Sequence, residues 1–406
     1  MPNNLLTSSL ISNTALALFQ SAAPFVVTAN RGYEKDFLRS GYKVGDTLNI
    51  RRVNKIIVGD GPTATPQPVQ DAVEALTINH QYHAMIAYTI ADLELRIDDF
   101  ARIFLQPAIQ SIIATMERDI CASAELQLNN FVGTPGSPIN SYAKVDAAGS
   151  KLLQMGVNIY DNAYLVLNTD DAASLKGSLL NNFTPVLNEE IVRTSALGHL
   201  SYFDVFQSQN VVKHTSGNGP VLHPSDVLVI NGAVSSGNTL VLSGASTSIT
   251  NYFVPGDLIS VASVYSVNPL TRASTGKNAQ FVVTAPASSD GSGNLTVSVM
   301  IDGVGINSTV GDPLQNVSNA IPNGAAVTAY GSYNVNVAYP DRALDVVCPP
   351  LYKIQTPFSA VSVDPETGLS LAVAQQGDIV GYQNFLRIDL LTGFLWHPQY
   401  AVKVIS

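Results

Sequence analysis

Between Asp226 and Asp257 the chain carries no charged side chain. The stretch and its continuation break into short apolar runs: NTLVLSG, DLISVASV, NAQFVVTAP, GNLTVSVMI and AAVTAYG. Gly, Asn, Ser or Pro residues stand between them. Recurrent short runs separated by turn formers predict a small all-β barrel or sandwich over residues 221–331. The sequence on either side has a different character. Residues 141–220 alternate helix and strand signals, and residues 332–406 resume a β-rich α/β pattern. An α/β core is therefore interrupted by a β domain whose ends must return close together, an arrangement tolerated at surface loops.

The longest helical signal precedes that core. Ile109, Ile112, Ile113, Met116 and Ile120 recur at helical spacing, and Ala124 and Leu128 extend the stripe. Pro107 suits a first-turn position, where its missing N–H costs nothing. Asn129-Asn130 and the Gly/Pro-rich FVGTPGSP end the helix. Glu117, Arg118, Asp119 and Glu125 fall mostly off the apolar face. The expected role is mechanical packing, without chemistry.

Residues 1–43 read as an N-terminal arm, uncharged in its first half and dense in charge and aromatics in its second. GDTLNIRRV, residues 45–53, then reads as a strand with Leu48 and Ile50 on one face. EALTINHQYHAMIAY, residues 74–88, reads as a second, continuous strand. A Gly/Pro/Thr-rich connection joins them into an extended hairpin over 44–84. Seven of the 21 lysines and arginines fall between Arg31 and Lys55. Arg51, Arg52 and Lys55 are thus either charges that protect a solvated hairpin edge or contacts to an acidic neighbouring subunit. Further on, NAYLVLN predicts a short strand. TDDAASLKGSLLNN predicts a helix opened by Thr169, Asp170 and Asp171, and GHLSYFDVFQSQNVV, residues 198–212, predicts one strand.

Composition excludes some function classes. Charged residues make up 13% and hydrophobic residues 46%, with 29 glycines and 22 prolines. That is no disordered composition. A formal charge of −10 disfavours a protein that wraps nucleic acid. Cys121 and Cys348 are distant in sequence, and nothing suggests a disulfide framework or a zinc cluster, so a reducing compartment is expected. No run of about 18 apolar residues predicts a membrane span. No Lys or Arg precedes Arg31, so the basic start of a signal peptide is missing.

No catalytic pattern emerges. His80 and His83 lie three apart on an expected strand and so point to opposite faces, which rules out joint metal ligation. Asp98-Asp99 and Glu189-Glu190 suit helix starts or surface better than acid/base pairs. GDGP and DGSGN are turn sequences, and DGSGN has too few carboxylates for a calcium loop. Trp396 is the lone tryptophan. The expectation is a structural protein with no catalytic residue, cofactor or metal.

The order of segments resembles a known family. GDTLNIRR (45–52), IDDFARIFLQPA (97–108), FDVFQSQNV (203–211), GDLISVASVYSVNPLTR (256–272) and LAVAQQGDI (371–379) carry the resemblance by order and spacing. The chain is similar to the major capsid proteins of tailed bacteriophages of the P-twenty-two type, with a Hong-Kong-ninety-seven-like α+β fold and an inserted β-barrel domain. The resemblance implies an N-terminal arm at 1–43 and an extended hairpin loop at 44–84. A peripheral domain with its spine helix follows at 85–140, and an axial α/β domain at 141–220. The inserted barrel at 221–331 comes next, and residues 332–406 return to the axial and peripheral domains. It further implies self-assembly into hexamers and pentamers of an icosahedral shell, with scaffolding, portal and decoration proteins as partners. Double-stranded DNA would be packaged inside without sequence-specific binding or a membrane, in a virion capsid assembled in the host cytoplasm. Two alternatives stand beside this reading: an encapsulin-like nanocompartment shell, and a secreted β-rich carbohydrate-active enzyme or adhesin.

Overall fold

A computed structural model describes residues 13, 15, 24–33, 45–52, 56, 58, 60, 62, 73–89, 101–160, 162–180, 197–351, 359–363, 370–378 and 383–406. Most of the N-terminal arm, Lys55, Asp98-Asp99 and Glu189-Glu190 lie outside the described residues. The chain is mixed α+β and divides into two compact units. The first comprises Met1–Ile50, Glu74–Ile120 and Leu344–Leu395; the second comprises Arg51–Val73, Cys121–Ala343 and Trp396–Ser406.

The long helix runs Gln106–Gln127 behind one π-helical turn, Ala101–Leu105. At 1.5 Å per residue it is roughly 33 Å long. Ile109, Ile112, Ile113, Met116 and Ile120 are buried along it, as the stripe predicts. Two of the charged residues off the stripe are drawn inward, Glu117 buried and Glu125 half-buried. Glu117 is 2% exposed and accepts a hydrogen bond from the amide of Phe25 at 3.3 Å, in the first turn of the short helix Pro24–Thr28. On the exposed side Ser111 and Thr115 donate to carbonyls four residues back, at 2.9 and 2.8 Å.

The first unit holds a five-stranded sheet. Gln383–Trp396 pairs antiparallel with Ser370–Asp378 and with His80–Thr89. Residues 74–88 are therefore not one strand. They divide at Ile78-Asn79 into Val73–Thr77, which pairs with Thr47–Arg51, and His80–Thr89, which joins the larger sheet. The hairpin proper ends near Thr77. Apolar/polar alternation runs on through the break, so periodicity alone does not reveal it. Ile78 is buried at the break, and its N–H and C=O bond to Asp46 and Gly45, which ties the strand end to the hairpin base.

The second unit contains a seven-stranded mixed sheet and a closed barrel. In the sheet, Tyr333–Pro340 lies between Val402–Ile405 and Ala163–Leu167, and Phe131–Gly133 and Phe203–Gln207 continue it by parallel pairing. Helices Tyr142–Gln154 and Thr169–Leu180 supply Val145, Leu152, Leu175 and Leu179 to its core. Asn168, rather than Thr169, opens the second helix: its Oδ1 accepts from the Asp170 amide at 3.0 Å. The strand expected over 198–212 is a tight hairpin, His199–Leu200 against Phe203–Gln207. Ser201, at φ 57°, makes its turn.

The barrel closes in the order Thr239–Ser243, Leu295–Met300, Ser274–Val283, Leu258–Val267, Ala326–Ala329 and Leu228–Ile230. Alternate residues point inward: Leu240 and Leu242 from one strand, Leu295, Val297 and Val299 from the next. With Phe253, Phe281 and Ile259 they fill the interior, which accounts for the charge-free sequence. Gly244, at φ +90°, turns the chain where any Cβ would fall on the carbonyl oxygen of Val227.

Candidate assembly site at the base of the barrel

The barrel and the sheet meet through buried polar groups drawn from five distant segments. His214 is 1% exposed, in the short strand Lys213–His214 that leads into the barrel. Its Nδ1 lies 2.7 Å from Oε1 of Glu125 on the long helix, and its Nε2 lies 2.9 Å from Oδ1 of Asp257 at the barrel rim. Asp257 is fully buried. It also accepts from Ser216 Oγ at 2.7 Å, the Val254 amide at 2.7 Å and the Gly217 amide at 3.2 Å. A carboxylate on each ring nitrogen calls for the doubly protonated imidazolium. Burial lowers the His214 pKa, but the hydrogen bonds to Asp257 and Glu125 outweigh it and raise it above the ordinary value.

Lys403 completes the cluster from the last strand. It is fully buried; its ammonium donates to the Glu125 carbonyl at 2.7 Å and to Tyr333 Oη at 3.1 Å. Tyr333 in turn donates to the Gly256 carbonyl at 2.8 Å. Burial pulls the Lys403 pKa down to about 7, against the favourable pull of Glu125. Burial first, then the charges of Glu125 and Asp257, hold the Tyr333 phenol well above its usual range.

Ser216, His214 and Asp257 are the residue types of a hydrolase triad, but their geometry differs from one. The hydroxyl donates to Asp257 and to the Tyr330 carbonyl, not to histidine, and both imidazole nitrogens are held by carboxylates. Nothing activates the serine as a nucleophile. The cluster can fix position and respond to protons. Among the described residues no group of three or more His, Cys, Asp and Glu could hold a metal ion.

A second connection sits beside it. Ile301-Asp302-Gly303-Val304 forms a two-residue hairpin, with φ of 51° at Asp302 and 73° at Gly303 and reciprocal backbone bonds between Ile301 and Val304. Asn129 Oδ1 accepts from the Asp302 amide at 2.8 Å, and Asn130 Nδ2 donates to the Asp302 carboxylate at 2.9 Å. Gln280 in the barrel brackets Phe131, donating to its carbonyl at 2.9 Å and accepting from its amide at 3.1 Å. The asparagines that end the long helix therefore also bind the barrel to the sheet.

Of the three basic residues singled out in the hairpin, Lys55 lies outside the described residues. Arg52 donates to the Asp302 carbonyl at 2.6 Å and so serves its own chain. Arg51 is exposed at the end of its strand. The helix residues Ile109 to Ile120 have a packing role and no part in this cluster. Sequence reasoning missed His214, Asp257, Tyr333 and Lys403. The available signal was one charge, Lys403, inside the apolar run AVKVI.

With the geometry in place, comparison with known proteins becomes informative. Residues 235–402, less than half of the chain, match the family model described as P22 coat protein - gene protein 5. The matched stretch takes in most of the barrel and the strands that return to both sheets. No curated protein matches the sequence. Among solved structures, one titled Mycobacterium phage Che8 is similar at 11% identity and a TM-score of 0.46, covering 94% of this chain and 90% of that one. The capsid of Ralstonia phage GP4 is similar at 8% identity and a TM-score of 0.43, covering 90% and 84%. The CUS-3 coat protein I-domain is similar at 22% identity and a TM-score of 0.19, covering 26% of this chain and 94% of that domain. All these TM-scores lie below one half, so the weight rests on the family match. By that match the stretch from the barrel to the last strands is similar to the P22 coat protein.

Proposed function

We propose that many copies of this chain assemble, as hexamers and pentamers, into an icosahedral shell that encloses double-stranded DNA without reading its sequence. The coat-protein match over residues 235–402 carries the reading. The physical character of the chain supports it. A net charge of −10 suits a container whose contents must enter and leave, since each neutralised phosphate would add salt-dependent attraction. Single subunit contacts need only be weak, on the order of −4 kcal/mol, because many act together in a closed shell.

In this reading the hairpin of Thr47–Arg51 and Val73–Thr77 reaches toward a neighbour. Arg51 meets an acidic surface there and Lys55 is a further basic contact, while Arg52 bonds within its own chain. The long helix is the spine of the subunit, and the barrel stands as an inserted domain. The chain has no catalytic role. Scaffolding, portal and decoration proteins are the expected partners, and assembly takes place in the host cytoplasm. The inserted barrel weighs against an encapsulin-like container, and the coat-protein match weighs against a secreted enzyme or adhesin. Electron microscopy of the purified protein, with and without a co-expressed scaffolding partner, tests the proposal. Closed shells are expected. Monomers under all conditions would overturn it, and a cargo enzyme in place of DNA inside native particles would favour the nanocompartment.

A further inference from the structure

Between helix Tyr142–Gln154, strand Phe131–Gly133 and barrel strand Ser274–Val283 lies a cleft of about 350 Å³. Lys151 lines it and is only 7% exposed. Among the described residues the Lys151 ammonium has no hydrogen-bond or ion-pair partner. Lys403, buried completely, has two hydrogen-bond acceptors at its ammonium. The nearby Asp302 carboxylate favours the charged form of Lys151 but makes no ion pair with it, and its Oδ1 is occupied by Asn130. Gln280 cannot turn to Lys151, because both ends of its amide are held by the Phe131 backbone. Lys277, exposed on the barrel strand, adds a second positive charge to the cleft. A buried cation without an acceptor is costly, and a second cation beside it makes it costlier. The ammonium opens onto the cleft, where an anion would offset both charges.

We propose that this cleft is a binding site for a carboxylate group, which sits between Lys151 and Lys277 with its carbon chain against Phe131, Val132 and Ala147. The lining favours a carboxylate over a phosphate. It contains no arginine, and one whole wall is apolar. The carboxylate comes either from a small organic acid in solution or from an acidic side chain of a second copy of this chain. The second source rests on the shell reading; the site itself does not.

Burial first, then the charge of Lys277, pulls the Lys151 pKa down to about 8, against the favourable charge of Asp302. A bound carboxylate requires the ammonium form. Affinity should therefore fall roughly tenfold per pH unit above about 8.

Calorimetric titration of the full-length unassembled protein with succinate at pH 7 is the test. Saturable one-to-one binding is expected, at least tenfold weaker in Lys151→Met and severalfold weaker in Lys277→Ser. Lys151→Met should melt at or above the wild-type temperature, since it removes an unsatisfied charge. If that variant does not fold, acylation footprinting of the wild-type protein decides: succinate should protect Lys151 from a water-soluble anhydride. Absence of saturable binding together with absence of protection would overturn the proposal, as would unchanged affinity in a folded Lys151→Met protein. Footprinting of assembled shells separates the sources. Protection without added succinate assigns the carboxylate to a neighbouring copy, and protection only with succinate assigns it to solution. Failure to form shells would count against the shell reading and leave the subunit titration intact.

Discussion

The barrel interior and the barrel base lie side by side in one compact unit and are built on opposite principles. The interior is dry and apolar, filled by Leu240, Val297, Phe281 and their neighbours. The base buries His214, Asp257 and Lys403 almost completely. Apolar packing is non-directional and tolerates rearrangement, so it makes the barrel fold but does not fix its orientation. Buried hydrogen-bonded charges require specific partners, so they hold the barrel in one seating on the sheet. For an inserted domain in a shell subunit that division is useful. The barrel has its own apolar core, and polar bonds tie it to the sheet.

The largest effect should come from breaking the base at its centre. Asp257→Asn leaves the His214 imidazolium without one of its carboxylates and should cost about 3–5 kcal/mol. The cost should be greater at pH 5.5 than at pH 9. The His214 pKa is raised in the folded protein, so its stabilisation is complete below the unfolded value near 6.5 and is lost as pH rises through the folded value. Leu240→Ala in the interior should cost about 2–5 kcal/mol with no such pH dependence. Urea unfolding of both variants at the two pH values checks the pair. A flat pH response in Asp257→Asn would erase the distinction between the regions.

Lys403→Met should sharpen it. Lys403 has a lowered folded-state pKa, so the wild-type protein gains stability as pH rises from about 7 toward 10.5. Replacing the lysine should stabilise the protein below pH 7, because the burial that lowers its pKa outweighs its two hydrogen bonds. Above pH 10.5, where the lysine is neutral whether folded or unfolded, the gain should be small. Unfolding midpoints measured from pH 6 to 10.5 would follow this, and a loss of stability at pH 6 would contradict it. Gly244→Ala should cost about 1–3 kcal/mol through backbone strain at its left-handed turn, read as a lower melting temperature with an unchanged barrel spectrum. The smallest effect on stability belongs to the exposed hairpin. Arg51→Glu should change unfolding by no more than about 0.5 kcal/mol yet reduce shell yield; normal yield would remove Arg51 from the assembly contacts.

Some of this fold is legible in the sequence for a clear reason. The barrel runs and the Ile109–Ile120 stripe carry their periods locally, so neighbours in sequence announce each face. The base carries no such signal. Glu125, His214, Asp257, Tyr333 and Lys403 come from segments that only the closed topology brings together. Glu125 lies off the helix stripe, and its partner is a histidine far along the chain. The division at Ile78-Asn79 is hidden because alternation continues through it, and the turn at Ser201 because serine seldom adopts a left-handed φ. Asn129-Asn130 reads correctly as a helix end, but its bonds to Asp302 and Gln280 are long-range and leave no local trace.

The shell reading can be put to one direct measurement. Sedimentation velocity of the purified chain, alone and with a co-expressed candidate scaffolding protein, separates a 43.1 kDa subunit from a closed particle of many copies. The account predicts a discrete, fast-sedimenting species of many subunits. A single slow boundary at the subunit mass under every condition would contradict it.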